Sequence, residues 1–371
     1  MVNVQEQAPT VPPSVPTPRR VAVLGAGSWG TAFAKVAADA ARLGASDGDS
    51  WEVVLWGRNR DSMASISTSG INERYFPNTR LPENLSFTSD PEEALRGADV
   101  VVVAIPAQAL RSQLVAMASI IESNAVVVSL AKGLERGTGL RMSEVIEQTL
   151  PGFGEQIAVL SGPNLAKEII QEQPTASVVA SVSERSAALV SRVCATTYFR
   201  PYTSGDVVGV ELGGLVKNVI ALCVGICEGR DYGDNSKSSI MTRGLAETTR
   251  LAVALGGRAE TLAGLAGMGD LVATCSSPLS RNHTAGRLLA LGLSEVEVGQ
   301  RMTQTAEGMK SASVVRDLAR RHGVEMPIVE AVSAVLDGQI TVDQLQPMLL
   351  GRALKAETPH GGPQGTSAPG H

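Results

Sequence analysis

One lysine lies in a segment of the chain that is otherwise apolar. Lys217 is the only charged residue between Leu212 and Cys227, and the pattern of this segment predicts a buried helix. An unpaired ammonium group is costly to bury, and desolvation lowers its pKa towards the working range of a general base. Lys217 is therefore our candidate for the group that exchanges a proton with an alcohol or ketone during hydride transfer. Gly213 and Gly214 precede it on the same helical face and should leave an open groove beside the lysine.

Histidine is the more common proton-transfer residue, but the chain has only four histidines, two of them in the C-terminal tail. His283 remains an alternative, although its position predicts the first turn of a helix beside a phosphate site. For Lys217, the alternative is a side chain that reaches the surface or is paired for structural reasons alone.

Three further segments, 125–133, 161–166 and 264–282, carry polar residues at the ends of predicted elements, and the last of them holds both Asp270 and Ser280. Lys132 ends the run AVVVSLAKG, and ligands of open α/β sheets bind at the ends of parallel strands. The segment 161–166 (SGPNLA) turns the next strand into a helix, whose amides could reach a substrate. Asp270 follows a Gly-Met-Gly turn and can neutralise or orient a lysine. Ser280 is a predicted N-cap, so the free amides of its helix and the Arg281 guanidinium predict a phosphate site.

A glycine-rich turn, GAGSWG, follows the first predicted strand and precedes an alanine-rich helix. Gly25 permits a tight turn, Gly27 lets backbone amides approach a pyrophosphate, and Gly30 lets helix and strand pack closely. This context predicts a dinucleotide site.

The second strand ends in Arg58, at the position where NAD-specific proteins carry a carboxylate. The Arg58 guanidinium either binds the 2′-phosphate of NADP(H), or stacks on adenine and accepts both cofactors. We expect NADP(H) to bind at least as well as NAD(H).

Short apolar runs alternate with helical patterns through the first half of the chain and predict a Rossmann-like, doubly wound, mostly parallel sheet. From Val207 onward the patterns are helical only. The fold class is therefore α/β, with a C-terminal all-α domain. The predicted divisions are a disordered tail over 1–18, a dinucleotide-binding domain over 19–206, a helical catalytic domain over 207–355 and a disordered tail over 356–371.

The composition excludes several classes of function. The net charge of −5 leaves no general basic field for nucleic acid, so anions must be recognised locally. The first eighteen residues lack the basic and apolar regions of a signal peptide, and we expect a cytoplasmic protein without membrane insertion. Cys223 and Cys227 lie one helical turn apart, but they lack partners at ligand spacing, so no metal site is predicted.

Taken in order, these segments resemble the soluble NAD(P)-dependent glycerol-3-phosphate dehydrogenase family over roughly residues 20 to 350. Eight collinear motifs carry the resemblance: GAGSWGTA, VVLWGR, VVVAIPAQALR, LAKGLE, SGPNLAKE, ELGGLVKNVIALCVGICEG, GLAGMGDLVATCSSPLSRN and AEGMKSA. The resemblance implies reduction of dihydroxyacetone phosphate by NAD(P)H to sn-glycerol 3-phosphate for phospholipid synthesis. It also implies a homodimer.

The same resemblance implies roles residue by residue. The implied catalytic residues are Lys217, Lys132 and Asp270. The implied substrate contacts are Lys132, Gly162, Asn164, Lys217, Asp270, Ser280, Arg281 and Asn282. The cofactor contacts include the three glycines of the turn. The full set is Gly25, Gly27, Ser28, Trp29, Gly30, Arg58, Tyr75, Lys132, Ala166, Arg281, Thr305 and Glu307.

Two other functions remain as alternatives. A related 3-hydroxyacid or phosphogluconate dehydrogenase also pairs this type of sheet with a helical domain and a lysine, but a carboxylate substrate would need extra cations near Lys217. A non-catalytic protein that senses NADP(H) would need neither the buried lysine nor Asp270.

Overall fold

Alternating strands and helices fill the first half of the computed structural model, which describes residues 17–44, 50–302 and 306–351. Eight strands in these residues form one sheet, in the order β3-β2-β1-β4-β5-β6-β7-β8. The strands are β1 (Arg20–Leu24), β2 (Glu52–Trp56), β3 (Leu85–Thr88), β4 (Val100–Val103), β5 (Val126–Ser129), β6 (Ile157–Ser161), β7 (Thr175–Ser181) and β8 (Phe199–Ser204).

Neighbouring strands are parallel except β6 and β7, which are antiparallel. The strand order reverses beside β1, so the sheet is doubly wound and the predicted fold class is confirmed. Two strands were not predicted. β3 has the sequence LSFT and β8 the sequence FRPYTS, and both are edge strands with too few apolar residues to stand out.

Helices cover both faces of this sheet. Along β1, Val21 and Val23 face one core while Ala22 and Leu24 face the other, because successive side chains alternate across a strand. The helices of this half are α1 (Ser28–Gly44), α2 (Arg60–Ser69), α3 (Pro91–Leu95), α4 (Ala107–Met117), α5 (Met142–Thr149), α6 (Ala166–Ile169) and α7 (Glu184–Cys194). Burial on both faces explains why β1, β4 and β5 read as continuous apolar runs.

From Val207 the described residues form helices and turns, around a core of their own. The helices are α8 (Val207–Gly229), α9 (Asp234–Ala254), α10 (Ala259–Ala263), α11 (Asp270–Ser276), α12 (Arg281–Ala290), α13 (Glu295–Arg301), α14 (Glu307–Arg321), α15 (Pro327–Leu336) and α16 (Val342–Leu350). A single π-helical turn, Leu265–Gly269, precedes α11. The central helix α8 is long and apolar enough to span a membrane, but 83% of the relevant window is buried inside the protein, as in the core helix of a globular domain.

A buried carboxylate fixes α8 against the sheet domain. Glu211 of α8 accepts hydrogen bonds from the Ser143 backbone amide (2.9 Å), the Ser143 hydroxyl (2.6 Å) and Arg141 Nη1 (2.7 Å), all at the start of α5. Burial raises the pKa of Glu211, and the arginine and serine contacts oppose that shift. The start of the helix that carries Lys217 is thus held at the end of the sheet where the parallel strands finish.

Candidate active site

The predicted lysine lies inside the helical core, in contact with two polar side chains. Lys217 is 8% exposed, and its Nζ donates hydrogen bonds to Thr274 Oγ1 (2.6 Å) and to Asp270 Oδ1. Asp270 is 1% exposed and begins α11, one helical turn before Thr274. The π-helical turn before α11 directs both residues towards α8.

Asp270 also binds a second lysine, which comes from the sheet domain. Lys132 follows β5, and its Nζ donates to Asp270 Oδ2 (2.6 Å) and to the carbonyl oxygen of Gly162 (3.0 Å). Gly162 follows β6, the next strand of the sheet. One carboxylate therefore bridges two ammonium groups, and Lys132, Gly162, Asp270 and Lys217 are brought together across the two domains.

Burial lowers the pKa of Lys217 to about 8. The charge of Asp270 opposes this shift, and the nearby charge of Lys132 adds to it. A lysine with such a pKa exists in both protonation states near pH 8, which is the property required of a general acid and base.

The expectation of an open groove beside Lys217 is wrong. A Cβ atom on Gly213 would lie 2.3 Å from the Ala266 carbonyl oxygen, and one on Gly214 would lie 2.4 Å from Ser161 Oγ. The glycines are instead needed for close contact: they let the π-helical turn and the end of β6 pack against α8. This packing brings Asp270 within reach of Lys217.

The predicted phosphate site begins at the start of α12. Ser280 caps this helix, because its side chain accepts a hydrogen bond from the His283 amide (3.2 Å), and Arg281 is exposed in the first turn. Asn282 is buried, and its Nδ2 donates to Oδ1 of Asn218 (2.8 Å), the residue after Lys217. The first turn of α12 therefore contacts α8 at Asn218, one residue after Lys217, and its N-terminus can bind an anion.

The side chain of Asn282 has a second partner in the protein. Its Oδ1 accepts a hydrogen bond from the Gly308 amide (2.8 Å), at the start of α14. Both polar atoms of the amide group are thus held by the protein, and the second N–H of Nδ2 and the backbone N–H are the donors of Asn282 that can contact a substrate. The same contact places Glu307, the first residue of α14, next to the start of α12.

The glycine turn has the geometry of a phosphate-binding loop. Gly25 has a φ of +121°, and a Cβ there would lie 2.5 Å from the Ala104 carbonyl oxygen, while a Cβ on Gly30 would lie 1.9 Å from the Gly25 carbonyl oxygen. A Cβ on Gly27, in contrast, would meet no atom within 4 Å. Gly25 and Gly30 are therefore required by the protein's own packing, and Gly27 borders open space. The amides at the start of α1, from Ser28 onward, can bind a pyrophosphate there.

Other predicted cofactor residues lie around this turn. Arg58 is exposed directly after β2, which neighbours β1 in the sheet. Tyr75 packs partly buried against the core beneath α1, and Asn72, three residues earlier, donates to the Ala26 carbonyl oxygen of the turn (3.2 Å). Among the described residues, the buried Nε1 atom of Trp29 has no hydrogen-bond partner.

The remaining predicted residues fall in three places. Ala166 begins the short helix α6 after the SGPN segment, and Asn164 within that segment donates to Ser177 Oγ (3.0 Å). Thr305 lies outside the described residues.

Within the described part of the chain, no group of three or more His, Cys, Asp or Glu residues could hold a metal ion.

Two polar residues at the site, Thr274 and Asn218, were not predicted from the sequence. Each had a signal: Thr274 lies four residues after Asp270, hence on the same helical face, and Asn218 directly follows Lys217.

Comparison with known proteins gives a consistent result over nearly the whole chain. The family model for the NAD-dependent glycerol-3-phosphate dehydrogenase N-terminus matches residues 20–187, and that for the C-terminus matches residues 206–346. A glycerol-3-phosphate dehydrogenase (NAD(P)+) of Thermobifida fusca is 55% identical over 317 residues, 85% of this chain and 92% of the relative. One of Streptomyces avermitilis is 49% identical over 342 residues, 92% of this chain and 99% of the relative.

A solved structure has the same architecture. The crystal structure of glycerol-3-phosphate dehydrogenase from Coxiella burnetii is 35% identical, with a TM-score of 0.82, and the match covers 91% of this chain and 100% of that one.

Proposed function

The chain belongs to the NAD-dependent glycerol-3-phosphate dehydrogenase family, and we propose that Lys217 is the residue that exchanges a proton with its substrate. The protein is an NAD(P)-dependent oxidoreductase that interconverts dihydroxyacetone phosphate and sn-glycerol 3-phosphate, a precursor of glycerophospholipids. The alternatives, a dehydrogenase of carboxylate substrates and a non-catalytic sensor, have no comparable support.

The observation that carries the role of Lys217 is its buried contact with Asp270 and Thr274, together with a pKa lowered to about 8. Below this pH the ammonium form predominates and can donate a proton to the carbonyl oxygen of the ketone. Above it the neutral amine can accept the hydroxyl proton of the alcohol. The same side chain thus serves both directions of the reaction.

Asp270 and Lys132 act on the position and charge of Lys217. Asp270 holds the ammonium group in place and stabilises its charge, while Lys132 limits that stabilisation because it shares the same carboxylate. Lys132 also places a cation next to the Gly162 carbonyl, where the three-carbon substrate would lie. The start of α12, with Arg281 and the backbone of Asn282, would bind the phosphate group and so orient the reacting carbon.

The nicotinamide cofactor, when bound, supplies or accepts the hydride. The protein's part is to hold it, and the open space beside Gly27 and the free amides of α1 fit a pyrophosphate. Arg58, exposed at the end of β2, would bind the 2′-phosphate of NADP(H), so we infer that NADP(H) binds at least as well as NAD(H). Trp29, Tyr75, Ala166, Arg281 and Glu307 complete the proposed cofactor site.

We further propose that the protein is a cytoplasmic homodimer. The family resemblance supports this proposal. Light scattering of the purified protein tests the dimer. A mass of twice 38.6 kDa is expected, and the mass of one chain would contradict the dimer.

A substrate panel tests the function. Oxidation of NADPH is measured with dihydroxyacetone phosphate and, separately, with 3-oxoacid substrates of equal concentration. Sustained turnover of dihydroxyacetone phosphate alone is expected. Turnover of a 3-oxoacid alone would favour the related dehydrogenases, and NADPH binding without turnover of either substrate would favour a sensor.

A further inference from the structure

Lys132 lies on a loop that joins the sheet domain to the helical domain. This loop, residues 130–141, follows β5 and ends where α5 begins, and we call it the β5 loop. On one side it brings Lys132 to Asp270 and buries Leu134 in the core around α8. On the other side it packs against α4, the helix that follows the neighbouring strand β4. The position of Lys132 therefore depends on how α4 holds the β5 loop.

Two side chains on one face of α4 hold three consecutive residues of the β5 loop. Gln108 Nε2 donates a hydrogen bond to the Leu134 carbonyl oxygen (2.8 Å), and the Arg136 amide donates to Gln108 Oε1 (3.0 Å). The Arg111 guanidinium, one helical turn later, binds both carboxylate oxygens of Glu135, at 2.7 and 2.9 Å. A backbone carbonyl only accepts and a backbone amide only donates, so the Gln108 amide group fits in this orientation alone. The motifs VVVAIPAQALR and LAKGLE thus meet in one set of directed hydrogen bonds.

The contact between α4 and the β5 loop begins directly after Lys132. A Cβ atom on Gly133 would lie 2.7 Å from the Cβ of Ala107, the first residue of α4, so the loop backbone packs on the helix there. The hydrogen bond from Arg111 lowers the pKa of Glu135, so this carboxylate is ionised and the ion pair is intact at neutral and alkaline pH. The backbone on the C-terminal side of Lys132 is therefore fixed to α4 at Gly133 and at the next three residues.

A lysine reaches its partner through a flexible four-carbon stem, so its contact depends on where the backbone places it. We propose that Gln108 and Arg111 are positioning residues, which hold the β5 loop against α4. Their effect on the reaction passes through Lys132, which they keep in contact with Asp270. The inference rests on the proposed function and adds two residues of the sheet domain that act on the catalytic cluster without touching the substrate.

Release of the β5 loop should change the titration of Lys217. Among the described residues, the titratable groups that interact with Lys217 are Asp270 and Cys275 on α11 and Lys132. Burial raises the pKa of Cys275 to about 12, so this thiol stays neutral below that pH. The charge of Lys132 lowers the pKa of Lys217, so withdrawal of Lys132 should raise it. The ammonium form then persists to higher pH, and the alkaline inflection of the reduction moves upward.

The test measures this inflection in kcat/KM for dihydroxyacetone phosphate with Arg111→Met, Lys132→Met and the double variant. Arg111→Met should move the inflection upward by about 0.5 to 1 pH unit, the effect of moving one charge from about 5 to about 8 Å at an effective dielectric constant of about 20. In the Lys132→Met background the same substitution should add no shift, because Arg111 acts through Lys132. A purely structural role of Arg111 would lower the amount of active enzyme and leave the inflection in place.

A second measurement does not depend on activity. Acetylation of Lys132 by acetic anhydride is followed by mass spectrometry in the enzyme without ligands. Lys132 is largely buried in its contact with Asp270, so it should react slowly in the wild type and faster in Arg111→Met. The exposed Lys167 should react at the same rate in both. Gln108→Met should produce the same two changes, and it replaces Arg111→Met if that variant does not fold.

The chain offers a matched control in the helical domain. Arg316 Nη1 lies 2.6 Å from Asp337 Oδ2, in an ion pair that joins α14 to the residue after α15. Arg316→Met removes this comparable pair. It should leave both the alkaline inflection and the acetylation of Lys132 at their wild-type values.

An inflection at the wild-type pH in the folded Arg111 and Gln108 variants would overturn the inference. A further upward shift in the double variant, or unchanged acetylation of Lys132, would overturn it equally. A wild-type enzyme that does not reduce dihydroxyacetone phosphate would contradict the proposed function itself, and the acetylation of Lys132 would still test whether α4 holds the β5 loop.

Discussion

Replacing Lys132 with methionine should raise the pH at which reduction of dihydroxyacetone phosphate declines. In the wild-type enzyme the reaction needs Lys217 in its ammonium form, which is lost as the pH rises through about 8. Lys132 shares the Asp270 carboxylate with Lys217, and its charge lowers the pKa of Lys217. Methionine keeps much of the volume and removes the charge, so the ammonium form of Lys217 should persist to higher pH.

The size of the shift follows from the geometry. Lys132 Nζ lies 2.6 Å from one oxygen of Asp270, and Lys217 contacts the other oxygen. The two nitrogens are therefore about 5 Å apart, and at an effective dielectric constant of about 20 their repulsion is about 3 kcal/mol. This energy corresponds to an upper limit of about 2 pKa units, so we expect a rise of about 1 to 2 units.

The assay is kcat/KM for dihydroxyacetone phosphate with saturating NADPH, measured between about pH 6 and 10.5, a range that spans the two pKa values. The position of the alkaline inflection carries the information, because loss of Lys132 will also lower the rate itself. Lys167→Met, an exposed lysine on α6, is the control and should leave the inflection near pH 8. An unchanged or lower inflection in Lys132→Met would refute the assignment of the inflection to Lys217.

Further outcomes can be tested with single substitutions. Gly27→Ala should leave the melting temperature unchanged but weaken NADPH binding in a fluorescence titration, because its methyl group meets no protein atom and enters the proposed pyrophosphate space. Gly30→Ala should lower the melting temperature, because its Cβ would lie 1.9 Å from the Gly25 carbonyl oxygen. Arg58→Ala should raise KM for NADPH about tenfold or more and leave KM for NADH nearly unchanged, since the loss is that of a charge-assisted bond; equal effects on both cofactors would exclude 2′-phosphate binding. Glu247→Ala should lower the free energy of unfolding in urea by about 2 kcal/mol at unchanged kcat, because this buried carboxylate accepts two backbone amides at the start of α15, outside the site.

The sequence predicted those parts of the fold that have strong local patterns. Strands buried on both faces are continuous apolar runs, and the glycine turn stands between such a strand and a helix. β8 escaped prediction because an edge strand needs only one apolar face and tolerates Pro201. The antiparallel pairing of β6 and β7 depends on contacts between distant segments, which local pattern does not encode.

For the site, residue type identified Lys217, Lys132 and Asp270, because a lone charge in an apolar segment and polar residues at strand ends are visible in the sequence. The close packing of Gly213 against the Ala266 carbonyl was not visible, since a glycine pair on a helix face is compatible with an empty groove or with a neighbouring backbone.

Proton transfer by Lys217 is tested most directly by the turnover number of Lys217→Ala with dihydroxyacetone phosphate and NADPH, with and without added small primary amines. We expect a kcat lower by about a thousandfold, a typical contribution of general acid–base catalysis. We also expect unchanged NADPH binding, and partial recovery of the rate as the ammonium form of the amine is added. A folded variant that binds NADPH and turns over at nearly the wild-type rate would contradict proton transfer by Lys217.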